Sequence, residues 1–177
     1  MKKLIAAVIA ATCILTTSAC SEEQQENVSK FFESEGRAYG KTYPAEIGEK
    51  QENSFFSTVV NTVTFADTVG DYYLDSGLEF ACVNITVKNT FSEEIPMGIG
   101  DFYIAWGEGE DERTGAEYAA DLADDLYGYE FTLAKNEEHT GTLYFAIPID
   151  VRDDLVFVYE EFYDDEFVGN TYKINLA

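Results

Sequence analysis

The sequence predicts an all-β fold, an antiparallel β-sandwich of about seven strands with one short connecting helix. Three observations carry that expectation. Apolar and polar residues alternate with a period of two in short runs, as in strands that bury one face. Clusters of Gly, Asn, Asp and Ser separate the runs, where the chain must turn. One stretch alone, residues 114–128, places apolar residues four apart, as on one side of a helix.

At the start of the chain, Lys2 and Lys3 precede an apolar stretch from Leu4 to Leu15, broken by Thr12, and then a small-residue run from Thr16 to Ala19. This is the three-part layout of an export signal peptide. The apolar part is about a dozen residues, against the roughly twenty a spanning helix needs, so it is too short to stay as an anchor. Thr17-Ser18-Ala19-Cys20 then resembles the lipobox of bacterial lipoproteins, in which small residues precede a cysteine; Thr17 stands where that family usually has Leu. The resemblance implies removal of residues 1–19, a diacylglyceryl group on the Cys20 thiol, and attachment to a membrane through that lipid. An ordinary signal peptide cut after Ala19 would instead leave Cys20 a free thiol. Ser21 resembles the residue that follows the cysteine in lipoproteins not retained at the inner membrane. It implies an extracytoplasmic place, on the outer face of the cell membrane or, in a Gram-negative host, at the outer membrane.

Residues 20–44 read as the lipidated cysteine and a flexible polar tether, and residues 45–177 as one domain. Loss of the leader takes Lys2 and Lys3 away, moving the formal net charge from −23 to −25. A surface so acidic, without a Lys/Arg cluster, repels nucleic acid and anionic headgroups, which excludes nucleic-acid binding. Aromatic residues make up 15 % of the chain, which argues for a folded core rather than disorder. Cys13 leaves with the leader and Cys20 is lipidated, so Cys82 has no partner for an intramolecular disulfide. With His139 as the sole histidine and no cysteine pair at ligand spacing, a zinc site is not expected.

Within the domain, Val59, Val63 and Phe65 open the alternation. In the run Phe80 to Asn89, Ala81, Val83, Ile85 and Val87 share one face, and Asn84, Thr86 and Lys88 the other. Phe102, Ile104 and Trp106 follow. Later come Leu143, Phe145 and Ile147, set against Thr140, Thr142 and Tyr144, and finally Tyr172, Ile174 and Leu176. Leu155 to Tyr159 is apolar on both faces, as suits a central strand. In the exceptional stretch, Tyr118, Leu122 and Leu126 lie four apart, Thr114 and Glu117 have capping-box spacing, and Gly128 suits a helix end, so a short helix is expected over 114–128.

Several segments in their order resemble a known family. They are Ile47-Gly48-Glu49, Val83-Asn84-Ile85-Thr86-Val87-Lys88-Asn89, Asp101-Phe102, Thr140-Gly141-Thr142-Leu143-Tyr144-Phe145 with Pro148, and Leu155 to Tyr159. The resemblance is to the immunoglobulin-like domain of unknown function that follows a lipobox in many bacterial surface lipoproteins, related in fold to a secreted mycobacterial immunoprotective protein. It implies an immunoglobulin-like sandwich and carries no catalytic motif. Where that family usually has a Pro-Gly-Glu type turn, this chain has Lys135-Asn136-Glu137, and Asn tolerates the left-handed backbone such a turn needs.

No motif for catalysis stands out. His139 lies among Glu137, Glu138 and Thr140 at a strand start, without a nucleophile elbow, and reads as an exposed polar residue rather than a general base. The acidic clusters are Glu108-Gly109-Glu110-Asp111-Glu112, Asp121 with Asp124-Asp125, Asp150 with Asp153-Asp154, and Asp164-Asp165-Glu166. Oxygen-rich loops can hold Ca²⁺ weakly, and Glu108, Glu110, Asp111 and Glu112 are the candidate ligands, although none of the clusters has the EF-hand order. The simpler reading of each is a solvated acidic loop. Gly98-Ile99-Gly100 and Gly107-Glu108-Gly109 read as turns, not phosphate loops. Tyr72, Tyr73, Trp106, Tyr127, Tyr129, Phe162 and Tyr163 could form a binding surface, though core packing accounts for most aromatics in a sandwich. Cys82 shares parity with Asn84 and Thr86 and reads as a semi-buried, inert thiol. The expectation is therefore a membrane-tethered, non-enzymatic module for a protein, peptide or envelope-polymer ligand, needing no cofactor; the alternative is a surface domain whose acidic loops are ordered by Ca²⁺.

Overall fold

The computed structural model describes residues 2–3, 40–119, 121–162 and 168–177. The leader from Leu4, the lipobox with Cys20, the tether as far as Tyr39, and Asp164-Asp165-Glu166 lie outside the described residues. Among the described residues no helix is long and apolar enough to cross a membrane.

Two sheets stack through their apolar faces. One has the order β12 (Glu138–Pro148), β7 (Leu78–Asn89), β4 (Phe56–Ala66) and β3 (Lys50–Glu52), antiparallel throughout. The other has the order β10 (Glu112–Gly115), β9 (Phe102–Trp106), β13 (Val156–Phe162), β14 (Val168–Asn175) and β2 (Thr42–Glu46), with only the β14–β2 pair parallel. A two-stranded ribbon, β8 (Ile95–Gly98) with β11 (Glu130–Leu133), adds Ile95, Met97 and Leu133 to the core. A small sheet joins β1 (Lys2–Lys3), β6 (Tyr72–Tyr73) and β5 (Thr68–Val69). This is the antiparallel β-sandwich expected, with the five alternating runs forming β4, β7, β9, β12 and β14 and the doubly apolar run forming β13.

Period-two alternation sets the inner face. Val83 lies opposite Leu143 on one side and Val63 on the other, and Ala81 lies opposite Phe145 and Phe65 in the same way. Phe145 meets Phe157 of the other sheet edge-on at 6.3 Å, and Phe56 meets Tyr159 at 4.6 Å. Each fully buried large apolar side chain contributes roughly 1.5–3 kcal/mol, so this layer holds the sheets together. β13 is the central strand of its sheet, as its doubly apolar sequence implies. Its outward Val158 is as buried as its inward neighbours. Lys173, paired beside Val158, makes an ion pair with Glu110 at 2.6 Å that brings the 108–112 segment to this face.

Two buried carboxylates are fully engaged. Glu161 accepts from the backbone N–H groups of Ser54 at 2.8 Å and Asn170 at 3.0 Å. Glu79, also without exposed surface, pairs with Arg152, whose guanidinium lies over the Phe65 ring.

The structure corrects three expectations. Val59 does not share a face with Val63 and Phe65, because a bulge at Asn61 adds a residue between Val60 and Thr62 and reverses the parity. Before the bulge Phe56 and Val60 point inward; after it Val63 and Phe65 do. β2 begins at Thr42, inside the stretch 20–44 expected to be tether, because Thr42–Glu46 pairs along β14. The third correction is the helix over 114–128. Residues 114–115 belong to β10, and the described residues beyond them are irregular. Their backbone groups turn outward to the edge of β12. Glu117 N–H donates to Tyr144 O at 2.7 Å, Thr142 N–H to Asp125 O at 2.7 Å, and Tyr127 N–H to Thr142 O at 3.0 Å. Four-residue spacing here serves an edge cover. Leu122 is buried against Phe80 and Tyr144, with Leu126 packed beside them, while the segment satisfies a sheet edge that would otherwise be open.

Candidate functional site

Two concavities among the described residues bear on function. The larger is a cleft of about 1010 Å³ between the β8–β11 ribbon and the β9–β10 end of the second sheet. Its volume is at the upper end of the range typical of ligand pockets. Gly98 makes its shape feasible, because a Cβ there would come within 2.2 Å of the Tyr129 carbonyl oxygen, so any side chain would push the ribbon apart. The next turn, Ile99–Asp101, is fixed by the Asp101 carboxylate, which accepts from Gly98 N–H at 2.7 Å. Burial pushes the Asp101 carboxyl above its ordinary range.

The cleft walls are largely apolar, with Met97, Ile99, Phe102 and Phe131 beside Tyr103 and Tyr129. Arg113 places its guanidinium 5.3 Å from the Tyr103 ring centroid, and Tyr103 OH donates to Glu160 at 3.1 Å. Burial, with Glu160 second, pushes the Tyr103 phenol up to about 12. Tyr129 is 56 % exposed and packs at 4.9 Å against Tyr118, which is 44 % exposed, so two large rings stand together in solvent where most sandwich aromatics are buried. Behind Phe102 and Phe131, Tyr127 is fully buried and its hydroxyl has no hydrogen-bond partner among the described residues; its phenol is raised by burial and by the Asp101 carboxylate.

The second concavity is a polar groove of about 380 Å³ on the outer face of β4, β7 and β12, lined by Thr62, Thr64, Cys82, Asn84, Asp125, Thr142 and Tyr144. Its groups bond to one another. Asn61 donates to Asn84 Oδ1 at 2.9 Å and Thr86 Oγ1 at 3.0 Å, and Asn84 donates to Thr142 Oγ1 at 3.0 Å. Thr142 and Tyr144 hydroxyls donate to the two oxygens of Asp125 at 2.5 and 2.7 Å, holding its carboxyl below the ordinary range. Cys82, half-buried here, has its thiol pushed up to about 11 by burial, so it stays protonated at neutral pH.

The residues singled out in the sequence are scattered. Of the six described among these seven aromatics, Tyr129 alone lines the cleft. Trp106 is in the core, its indole N–H donating to Glu112 at 2.8 Å, and Tyr127 is buried. Tyr72 and Tyr73 sit half-buried in β6, Phe162 is exposed on β13, and Tyr163 lies outside the described residues. His139 Nε2 lies 2.7 Å from the Tyr127 carbonyl oxygen and its ring packs on Phe131, so it joins β12 to the edge-covering segment. Of the acidic loop, Glu110 is paired with Lys173 and Glu112 with the Trp106 indole, while Glu108 and Asp111 are exposed. Among the described residues no three His, Cys, Asp or Glu side chains converge as a metal site. The sequence does not mark Tyr103 and Arg113, which line the cleft, or Tyr118, which packs on Tyr129; pairing of β9 with β10 puts the first two together, and sequence distance hides it.

Residues 45–170 match the family described as Domain of unknown function (DUF4352). The chain belongs to that family. Among solved structures, this DUF4352 chain is similar to the yjhA protein from Bacillus subtilis, at 17 % identity and a TM-score of 0.56, over 74 % of this chain and 99 % of that one. It is also similar to ycdA from Bacillus subtilis, described as a candidate lipoprotein, at 17 % identity and a TM-score of 0.54, over 73 % of this chain and 39 % of that one. At these identities the likeness is one of fold. No curated protein matches. The Lys135-Asn136-Glu137 turn keeps its form, since Asn136 has φ of 65°.

Proposed function

We propose that this DUF4352 chain is a lipid-anchored, extracytoplasmic binding module without enzymatic activity, which engages a protein, peptide or envelope polymer through the cleft beside Tyr129. The cleft carries the reading: apolar walls and an exposed tyrosine pair are what a ligand gains by covering, at roughly 25 cal/mol per Å² of apolar surface. The leader and Thr17-Ser18-Ala19-Cys20 support the anchor, and the lipoprotein description of one structural neighbour is in keeping with it. His139, the residue best suited to general base work, is held at the Tyr127 carbonyl and packs on Phe131, a structural placement in keeping with a binding role.

Metabolic labelling with a radioactive fatty acid, followed by membrane sedimentation, tests the anchor. The wild-type chain should take up label and sediment with membranes, and Cys20→Ala should do neither. An unlabelled wild-type chain, or a labelled Cys20→Ala, would refute the anchor.

A further inference from the structure

We infer that the cleft takes an extended, basic peptide segment of a partner protein, laid along β10 as an added strand. This rests on the cleft being the binding site.

Three features lead there. First, among the described residues β10 is the terminal strand of its sheet, and residues 113–116 of this edge line the cleft, so an edge to which no described strand pairs borders it. An extended peptide can satisfy such an edge with its own amides. A compact ligand would leave that edge unused. Second, the apolar walls and the Tyr118–Tyr129 pair lie beside that edge, where one face of an added strand would set its side chains. Third, the charges favour a cation. Asp101 and Glu130 line the cleft against Arg113, whose guanidinium is already engaged with Tyr103, and Tyr103 OH donates to the Glu160 carboxylate behind it. Glu117 adjoins Tyr118. The mature chain's charge of −25 would draw a basic segment in and repel an acidic one. Exposed tyrosine faces also suit Lys and Arg side chains by cation–π attraction.

The test uses the full mature chain in detergent micelles and three fluorescent probes: a short peptide alternating lysine and valine, its counterpart with glutamate for lysine, and the lysine peptide with alternate amides N-methylated. Fluorescence anisotropy should show the lysine peptide binding about tenfold tighter than the glutamate peptide, and N-methylation on the pairing edge should weaken it about tenfold. Replacing both Tyr118→Ala and Tyr129→Ala should weaken it by about tenfold with the melting midpoint unchanged, because both rings are exposed. Asp125→Ala, in the polar groove, should leave it unchanged. If the N-methylated peptide binds as well as its parent, strand addition is refuted. If the glutamate peptide binds tighter and the tyrosine variant loses it, the ligand class is wrong and the cleft remains the site. If no peptide responds to the tyrosine variant, the cleft reading falls as well.

Discussion

The groove beside Asp125 and the cleft beside Tyr129 both indent the same domain, but they are finished differently. In the groove, hydroxyl, amide and carboxylate groups from β4, β7, β12 and the edge-covering segment already bond to one another. A ligand there must replace bonds that exist, and the net gain per exchanged hydrogen bond is small. At the cleft, the exposed Tyr129 ring and the Tyr118 ring packed on it meet water, and covering them is favourable without replacing existing hydrogen bonds. An indentation is thus better judged by what its surface still lacks than by its depth or polarity.

If the groove is the rigid, structural side and the ribbon bordering the cleft the more yielding one, glycine substitutions on the two sides should differ. Gly141 lies in β12 between β7 and the covering segment, and a Cβ there would come within 2.5 Å of Tyr127 Cα. Gly141→Ala should cost about 2–3 kcal/mol, read as a lowered denaturant midpoint, since backbone on both sides resists movement. Gly98→Ala meets the Tyr129 carbonyl at 2.2 Å, but in a two-stranded ribbon that can shift, and about 1–2 kcal/mol is expected. The reverse order would break the contrast.

A smaller effect separates the two carboxylates. Asp125 is held below the ordinary carboxylate range by Thr142 and Tyr144, so its stabilisation is complete above the ordinary pKa and is lost as pH falls through its lowered value. Asp101 is raised by burial, so its contribution favours the fold at low pH and is lost as pH rises through its raised value. Thermal melts from neutral pH down to about pH 3 should therefore show a shallower acid loss for Asp125→Ala and a steeper one for Asp101→Asn. Asp125→Ala should cost about 1 kcal/mol at neutral pH, a modest figure because the side chain is largely exposed.

Most strands are legible because an alternating run keeps one parity and buries one face, as Ala81, Val83, Ile85 and Val87 do in β7. Asn136 was legible for a local reason, its tolerance of positive φ. Where parity depends on a partner, the sequence is silent. The bulge at Asn61 comes from pairing with β7, where the Asn61 amide bonds to Asn84 and Thr86. Leu122 and Leu126 have helical spacing, yet the open edge of β12 decides their conformation. The cleft was the least legible feature. Whether Tyr129 or Trp106 faces solvent depends on how irregular segments meet the ribbon, and composition treats the two alike.

Tyrosine nitration with tetranitromethane, compared between the native envelope and the detergent-purified full chain, tests the central claim most directly. Tyr43, 39 % exposed and stacked on Tyr172 away from the cleft lining, serves as the internal reference. If a ligand fills the cleft in the envelope, Tyr118 and Tyr129 should be protected there relative to Tyr43 and become reactive on purification. Equal reactivity of all three in both preparations would contradict the assignment of the cleft as the working surface of this domain.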